Sequence, residues 1–573
     1  MKNLYFKQLL VLSNTQKSGN QFKFSERYNL IIADDNSVGK STLAKLLFWV
    51  FGAEPELAKS WKDTDSKALV MFEVDGQGYT IIRDKSIFYL KENKNGMIQK
   101  YTKVSGEFSE KIADIVNFKV LLTGKSEEEK PVVPPPAYYF LPYYIDQIKG
   151  WSKAWNGFNN LGQFDNKQIN NVIKYHIGLL SPKHFELEQE KYEKTKEIKI
   201  LKEEVEKIGY ALNVISDHVP QNAIAIDEQK FEIMANEIKK ELLQLANDEE
   251  DYLKKLSTAM ADKAFLEHQK ITAEKLMKEL DADYKFSVEN IENEKLECPL
   301  CGTYHENSIV HRASILVDKQ QSMSQLKSIN DNLETLNKKI ETLKQKSIEI
   351  KDKINELNLK YSVEQDTTQI NLNEVIQNFA YKSINENINE TKKGKLSTIS
   401  DNEKDKKAIN KEQKKLIIKE DIEKINSSFV ELLNVYIKIL NAEGINLSDI
   451  KTPLDYNKLT DGGAAENTRG MLAYYLAIFT LINIYGNEVQ APLIIDTPNQ
   501  QEQSNNNYEK IIDLIMKKTK KEEQIIICAM NNEHLTEYAK EANIITLDNN
   551  KLLNTSKYED IKKIFDEIEN EAD

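Results

Sequence analysis

The sequence predicts an α/β head built from both ends of the chain, with a long helical arm inserted between them. Three observations carry this. A strand, a polar loop and a helix follow one another at Asn29–Gly52. A second strand ending in a carboxylate, APLIIDTP, lies roughly 450 residues later. Between them run Lys/Glu/Leu/Ile-rich stretches with an apolar residue every three or four positions, the texture of long coiled-coil helices.

The opening motif is NLIIADDNSVGKSTLAKLLFWVFG. Leu30 to Ala33 reads as a buried strand, and Ser41 to Phe51 carries apolar residues at helical spacing. The loop Asn36–Gly39, with Lys40, Ser41 and Thr42, has the plan of a phosphate cradle. Backbone amides at a positive helix N-terminus hold the anion, Lys40 reaches the outer phosphates and Ser41 ligates magnesium. Asp34 replaces the first glycine of the strict pattern, a position whose turn an aspartate tolerates better than most residues.

With 573 residues the chain has room for two to four domains. Its net charge of −13, with 29% charged and 40% hydrophobic residues, excludes a protein that grips nucleic acid over its whole surface. DNA contact then needs a local basic face, for which Lys392–Lys415 and Lys517–Lys521 are candidates, although such runs are usually only solvated helix faces. No apolar run approaches the ~20 residues of a membrane span, and MKNLYFKQLL lacks a signal-peptide plan. Three cysteines, two in one C-x-x-C, argue for a reducing compartment, so the expectation is the cytoplasm.

Along the chain, residues 1–182 form the first head lobe. Tyr5–Leu12 and Phe22–Ala33 read as strands, followed by a meander of Ala68–Val74, Tyr79–Arg83 and Ile87–Leu90. Glu107–Val116 reads as a helix, and Gly124–Pro136 as a Pro- and charge-rich loop. Tyr138–Phe158 is aromatic enough to be core. Its Gln147, just after an apparent strand Tyr143–Ile145, also stands where a nucleotide-coupled glutamine would stand in an ATPase head. Residues 183–297 and 308–440 are read as ascending and descending helical limbs, broken near His218–Asn222, at Tyr361–Leu372 and at Lys393-Gly394. They frame residues 298–307, where Cys298 and Cys301 supply two ligands of a four-ligand zinc site. A second chain's pair completes a zinc clasp, or His305 and His311 complete the site internally; a redox dithiol and a plain turn are the alternatives. Residues 441–573 form the second lobe: a loop Asp461-Gly462-Gly463 opening an apolar helix, the strand Leu493–Ile495 ending at Asp496, and then helix Tyr508–Lys517, strand Ile525–Cys528, helix Glu533–Glu541, strand Ile544–Leu547 and an amphipathic helix Tyr558–Glu569.

Phosphate loop, glutamine loop, coil, C-P-x-C, coil, Gly-Gly loop and carboxylate strand, in that order, resemble the SMC-like ABC-type ATPases, in particular the zinc-hook ATPase of double-strand-break repair. The P-N-Q-Q-E-Q and I-D-Q-I-K-G-W stretches look more like the small SMC-like subunits of bacterial Lamassu-type anti-phage complexes. The resemblance implies ATP, Mg2+ and Zn2+ as cofactors and a homodimer whose heads sandwich two ATP molecules. Each nucleotide would be held by Lys40 and Ser41 of one chain and by Asp461-Gly462-Gly463 of the other. It further implies double-stranded DNA as a ligand and a separate effector nuclease, with a small accessory subunit. Alternatives are the ATPase subunit of a break-repair nuclease and an ATP-binding scaffold that never hydrolyses. Three departures stand out. Asp461 takes the place of the signature serine. Thr497 follows Asp496 where the family has a glutamate, and threonine cannot act as a base near neutral pH. The switch histidine is missing, with Asn531 or His534 as substitutes. Glu502, Gln500 or Gln501 then positions the attacking water, and hydrolysis is expected to be slow.

Overall fold

The computed structural model describes residues 2–33, 39–58, 61, 63–94, 96–124, 129–164, 168–218, 228–289, 295–297, 304–306, 309–361, 372–459, 463–499, 503–547 and 552–572. They divide into two compact units, one made of residues 1–193 and 406–573 and the other of residues 194–405.

The first unit holds two sheets. Strands β1 (Leu4–Ser13), β2 (Ser18–Lys23), β4 (Ser66–Val74), β5 (Gln77–Asp84), β6 (Ile87–Glu92) and β7 (Ile98–Tyr101) form an antiparallel sheet in the order β2-β1-β4-β5-β6-β7. Strands β3 (Tyr28–Ala33), β8 (Tyr144–Ile145), β11 (Leu493–Asp496), β12 (Ile525–Met530) and β13 (Asn543–Thr546) form a parallel sheet in the order β13-β3-β12-β11-β8. Two of its strands come from the N-terminal third and three from the C-terminal end, so the head closes only when both chain ends meet. The strands β3, β11 and β12 are apolar except for Asn29 and Asp496, as expected where helices cover both faces of a parallel sheet. The single strand expected over Phe22–Ala33 is divided: β2 and β3 belong to different sheets, with a corner at Phe24–Arg27 between them.

Helix α1 (Lys40–Trp49) lies between the sheets. Its Phe48 meets Phe6 of β1, and Phe51 just beyond it meets Phe72 of β4, at ring-centroid distances of 6.3 and 4.9 Å. Leu43, Ala44, Leu46, Leu47 and Phe48 have no exposed surface. The helix is therefore fixed as a rigid strut by burial rather than by propensity. The far face of the antiparallel sheet, Leu10, Leu12, Leu69, Ile82 and Tyr89, is covered by Ile561, Phe565 and Ile568 of the C-terminal helix Tyr558–Ala572.

In the second unit the expected limbs are α-helical. Within it, helix Glu228–Glu289 runs antiparallel to helix Ile309–Tyr361, with Tyr252 hydrogen-bonded to Ser347 and Asp281 paired with Lys319. Leu245, Tyr252, Leu256, Ile340, Leu343 and Ile354 form their seam. Helices Pro182–His218 and Leu372–Lys415 likewise pair antiparallel, through Lys194–Asp405 at 3.0 Å and Glu204–Lys395 at 2.6 Å. The first limb is not one ascending rod, however. Lys207 meets Asp262 at 3.6 Å, and Ser257 Oγ donates to the Ala211 carbonyl at 3.4 Å. Residues 257–262 of the second helix therefore run back along residues 207–211 of the first, so the limb reverses direction. The break expected at Lys393-Gly394 does not occur: one helix continues through both residues, because a lone glycine costs only about 1 kcal/mol in a helix. At the centre, Lys295–Glu297 and Tyr304–Glu306 form an antiparallel hairpin. Cys298 and Cys301, which it flanks, lie outside the described residues, as does the Asp34–Val38 part of the phosphate loop, Asn36 included.

Candidate nucleotide-binding site

Helix α1 begins at Lys40, preceded by Gly39 at φ 110°. A β-carbon there would lie 2.8 Å from the Leu552 side chain, so both the turn and the space demand glycine. Among the described residues no side chain caps the first turn, whose amides and helix dipole suit an anion. Lys40 Nζ reaches Met530 Sδ at 3.2 Å, at the end of β12.

The carboxylate strand arrives beside this turn. In the parallel sheet β12 lies between β3 and β11, pairing Ile31 with Cys528 and Cys528 with Asp496. One intervening strand places Asp496 across from Ser41, whose hydroxyl lies 3.1 Å from Asp496 Oδ1 and 3.1 Å from Gln147 Oε1. Ser41 thus stands within hydrogen-bond distance of both Gln147 and Asp496, with Lys40 immediately before it at the start of α1.

The chemistry of this cluster suits a hard cation. A single hydroxyl proton faces two acceptors, and Thr497 adds a hydroxyl that donates to Asp496 Oδ1 at 3.2 Å. Asp496 is 1% exposed, and its Oδ2 has no hydrogen-bond partner among the described residues. Burial pushes its pKa up to about 6, against the pull of the Ser41 hydroxyl and Lys45. An orphaned, buried carboxylate oxygen beside a hydroxyl and an amide oxygen is a donor set matched to magnesium, which takes oxygen ligands. The residues present therefore fit Mg2+ in company with a nucleotide's phosphates.

The loop after β8 is tied down more firmly than the sequence suggests. Asp146 Oδ2 accepts the Ile148 and Lys149 amides at 3.0 and 2.9 Å, while its Oδ1 accepts the Tyr144 hydroxyl at 2.9 Å and faces Lys45 Nζ at 3.3 Å. Trp151 Nε1 donates to the Asp496 carbonyl at 2.9 Å. On the other flank, buried Arg469 of helix Ala464–Tyr485 donates to Gln503 Oε1 and to the Asn441 carbonyl, and Gln503 Nε2 donates to the Ala465 carbonyl at 3.3 Å. Sequence reasoning passed over Lys45, Asp146, Trp151, Arg469 and Gln503. The only available signal was a charged residue inside an otherwise apolar helix face, as at Lys45.

Thr497 has φ 60°, rare for a β-branched residue, and its amide donates to the Cys528 carbonyl at 2.9 Å. Its hydroxyl is committed to Asp496, consistent with a role other than base. His534, a suggested switch residue, instead hydrogen-bonds Glu509 at 2.9 Å, and the Asn531 amide donates to the Ala33 carbonyl at 3.2 Å. Gly463 is the N-cap of helix Ala464–Tyr485. Asp461, Gly462, Gln500, Gln501 and Glu502 lie outside the described residues. Among the described residues no group of three or more His, Cys, Asp and Glu side chains is placed to hold a metal, and no helix is long and apolar enough to cross a membrane. Of the lysines suggested for DNA, Lys395 pairs with Glu204, Lys404 with Asp401 and Lys517 with Asp513.

No family model matches the chain. Two curated relatives do: Lamassu protein LmuB of Bacillus cereus (strain VD014), 26% identical over 514 residues covering 88% of this chain and 86% of that protein, and Lamassu protein LmuB of Bacillus sp. (strain NCIM 5461 / CCTCC AB 2011126 / NIO-1130), 23% identical over 85% and 86% of the two chains. Among solved structures, an Smc head domain with coiled coil and joint from Pyrococcus yayanosii overlaps at a TM-score of 0.34 and 14% identity, covering 98% of this chain and 100% of that one. The recombination mediator RecF overlaps at 0.27 and 11%, covering 95% and 96%. These two overlaps are too weak to weigh beside the site itself. The sequence matches span 88% and 85% of the chain, so over most of its length it is similar to the Lamassu LmuB proteins.

Proposed function

We propose that this chain is the SMC-like ATPase subunit of a Lamassu-type defence complex. It binds magnesium–ATP at Lys40, Ser41, Thr42, Gln147 and Asp496, with Asn36 and Gly39 shaping the phosphate turn. The observation that carries this reading is the meeting of Ser41 and Asp496, whose Oγ and Oδ1 stand 3.1 Å apart although hundreds of residues separate them. Two heads dimerise around two nucleotides, the Asp461-Gly462-Gly463 loop of each closing on the phosphates held by the other. Closure reports bound double-stranded DNA, foreign DNA or its ends, to a separate effector nuclease and an accessory subunit in the bacterial cytosol. Cys298 and Cys301 join two chains through Zn2+. Magnesium, when bound, neutralises phosphate charge and orients the terminal phosphoryl group. The protein's own part is to hold that group in line through the α1 amides and Lys40, and to present water from the segment after Asp496, with Glu502 as the proton acceptor.

The non-hydrolysing scaffold is the second reading, favoured by Thr497, whose hydroxyl is spent on Asp496 at the position where a base is needed. The deciding experiment follows ADP release by the purified chain with and without linear double-stranded DNA. Slow, DNA-stimulated turnover that disappears in Lys40→Ala is expected. ATP binding with no ADP under either condition selects the scaffold, and failure to bind ATP at all overturns both readings.

A further inference from the structure

Gln147 sits at the centre of a loop whose own side chain makes one contact in the site, the 3.1 Å approach to the Ser41 hydroxyl. The loop around it, by contrast, is tied down at the residue before it. Asp146, one residue before it, is 2% exposed and spends both carboxylate oxygens. One receives the amides of the two residues after Gln147, and the other receives the Tyr144 hydroxyl and faces Lys45. Lys45 stands one helical turn beyond Ser41 on α1 and is itself 8% exposed. Its ammonium also donates to the Glu56 carbonyl at 3.0 Å. Both ends of the pair are thus buried, charged and hydrogen-bonded, the condition under which an ion pair in a protein interior is tolerated. Such a pair adds little net stability compared with an apolar equivalent, so its presence calls for another account. Its position supplies one: it links the helix that carries Ser41 to the turn that carries Gln147, and Trp151 of the same loop is bonded to the Asp496 carbonyl.

We infer that Lys45 and Asp146 form a clasp that positions Gln147 against Ser41 and Asp496, so that the three oxygens facing the cation are set before the cation arrives. They are positioning residues, acting through Gln147 rather than touching the nucleotide. Lys45 is not prescribed by the phosphate-loop motif, and Asp146, although it lies in the I-D-Q-I-K-G-W stretch, has no role there of its own. The inference rests on the reading of this site as one for magnesium–ATP. Supporting residues of this kind fix first-contact oxygens, and their loss typically costs ten- to a hundredfold in metal affinity.

The test uses the full chain and a fluorescent ATP analogue, with affinity measured first in EDTA and then along a Mg2+ titration. Lys45→Met and Asp146→Asn are expected to bind the analogue in EDTA within about twofold of the unaltered chain, and to need at least about tenfold more Mg2+ for the half-maximal change. Lys45→Arg, which keeps the charge, should recover most of the Mg2+ response. The double variant Lys45→Met/Asp146→Asn leaves no buried charge alone, so it should fold as the unaltered chain does and still show the Mg2+ defect. An unaltered Mg2+ response in the double variant overturns the clasp. So does a loss of binding in EDTA equal to the loss in Mg2+, which marks a merely structural pair. Failure of the underlying site reading looks different: the unaltered chain then binds no analogue, or Lys40→Ala binds it equally well.

Discussion

Asp496→Asn separates two roles of this carboxylate, an electrostatic burden without nucleotide and an asset with it. The side chain is 1% exposed, and burial pushes its pKa from 3.8 up to about 6. A carboxyl group with a raised folded-state pKa costs nothing below its unfolded pKa. The cost grows as pH rises from about 4 to about 6 and is complete above that. A shift of roughly 2 pKa units corresponds to about 3 kcal/mol, an upper figure for what the neutral asparagine relieves at pH 7.5. The nucleotide-free variant should therefore melt several degrees above the unaltered chain at pH 7.5, and the difference should shrink to about a third by pH 4.5, on its way to nothing below the unfolded pKa. Adding Mg2+ and ATP should reverse the order, because only the unaltered chain gains the ligand's stabilisation. Thermal melts from pH 4.5 to 8, with and without Mg2+ and ATP, read both effects. A variant no more stable than the unaltered chain at every pH, or one stabilised equally by Mg2+ and ATP, would refute the reasoning.

Gly39→Ala should destabilise the head and weaken ATP binding together. Its φ of 110° and the Leu552 side chain 2.8 Å from the added carbon leave no relaxed place for a methyl group, at a cost of about 1–3 kcal/mol; denaturant melts and analogue binding check it. Glu502→Gln should leave ATP affinity unchanged and cut turnover by about a hundredfold or more if Glu502 takes the water's proton; single-turnover ADP release is the measure, and turnover that survives removes that role. Cys298→Ser with Cys301→Ser should abolish zinc in the purified chain and lower the mass of its assemblies in light scattering. Metal analysis that finds no zinc in the unaltered chain ends the clasp. Arg469→Ala should free the segment after Asp496 from its neighbouring helix, lowering the melting temperature and raising proteolysis near Gln503, since it leaves the buried Gln503 Oε1 without its donor at about 1–3 kcal/mol.

The residues proposed to meet the nucleotide were legible because their chemistry is local. An apolar run, a glycine at a left-handed turn, Lys40-Ser41 and an apolar helix leave a signature within one short segment, and a buried strand ending in Asp496 leaves another. That the two ends share one sheet followed from their order, since neither carboxylate nor phosphate loop has a use alone. Other expectations failed where the deciding contacts are distant. A continuous β-propensity over Phe22–Ala33 does not reveal that two sheets divide it. Nor does heptad texture say whether a helix continues its predecessor or turns back along it, as Lys207–Asp262 requires here.

Composition and spacing pointed to the fold class of the chain, the two halves of its head and four residues of the proposed site: Lys40 for the phosphates, and Ser41, Gln147 and Asp496 for the cation. Packing alone decided which charged residues serve them. Lys45 and Asp146 lie roughly a hundred residues apart, and Arg469 and Gln503 more than thirty. Their meaning lies in the burial that makes an unpaired charge or amide costly, and burial depends on the closed shape, which no short stretch of sequence contains.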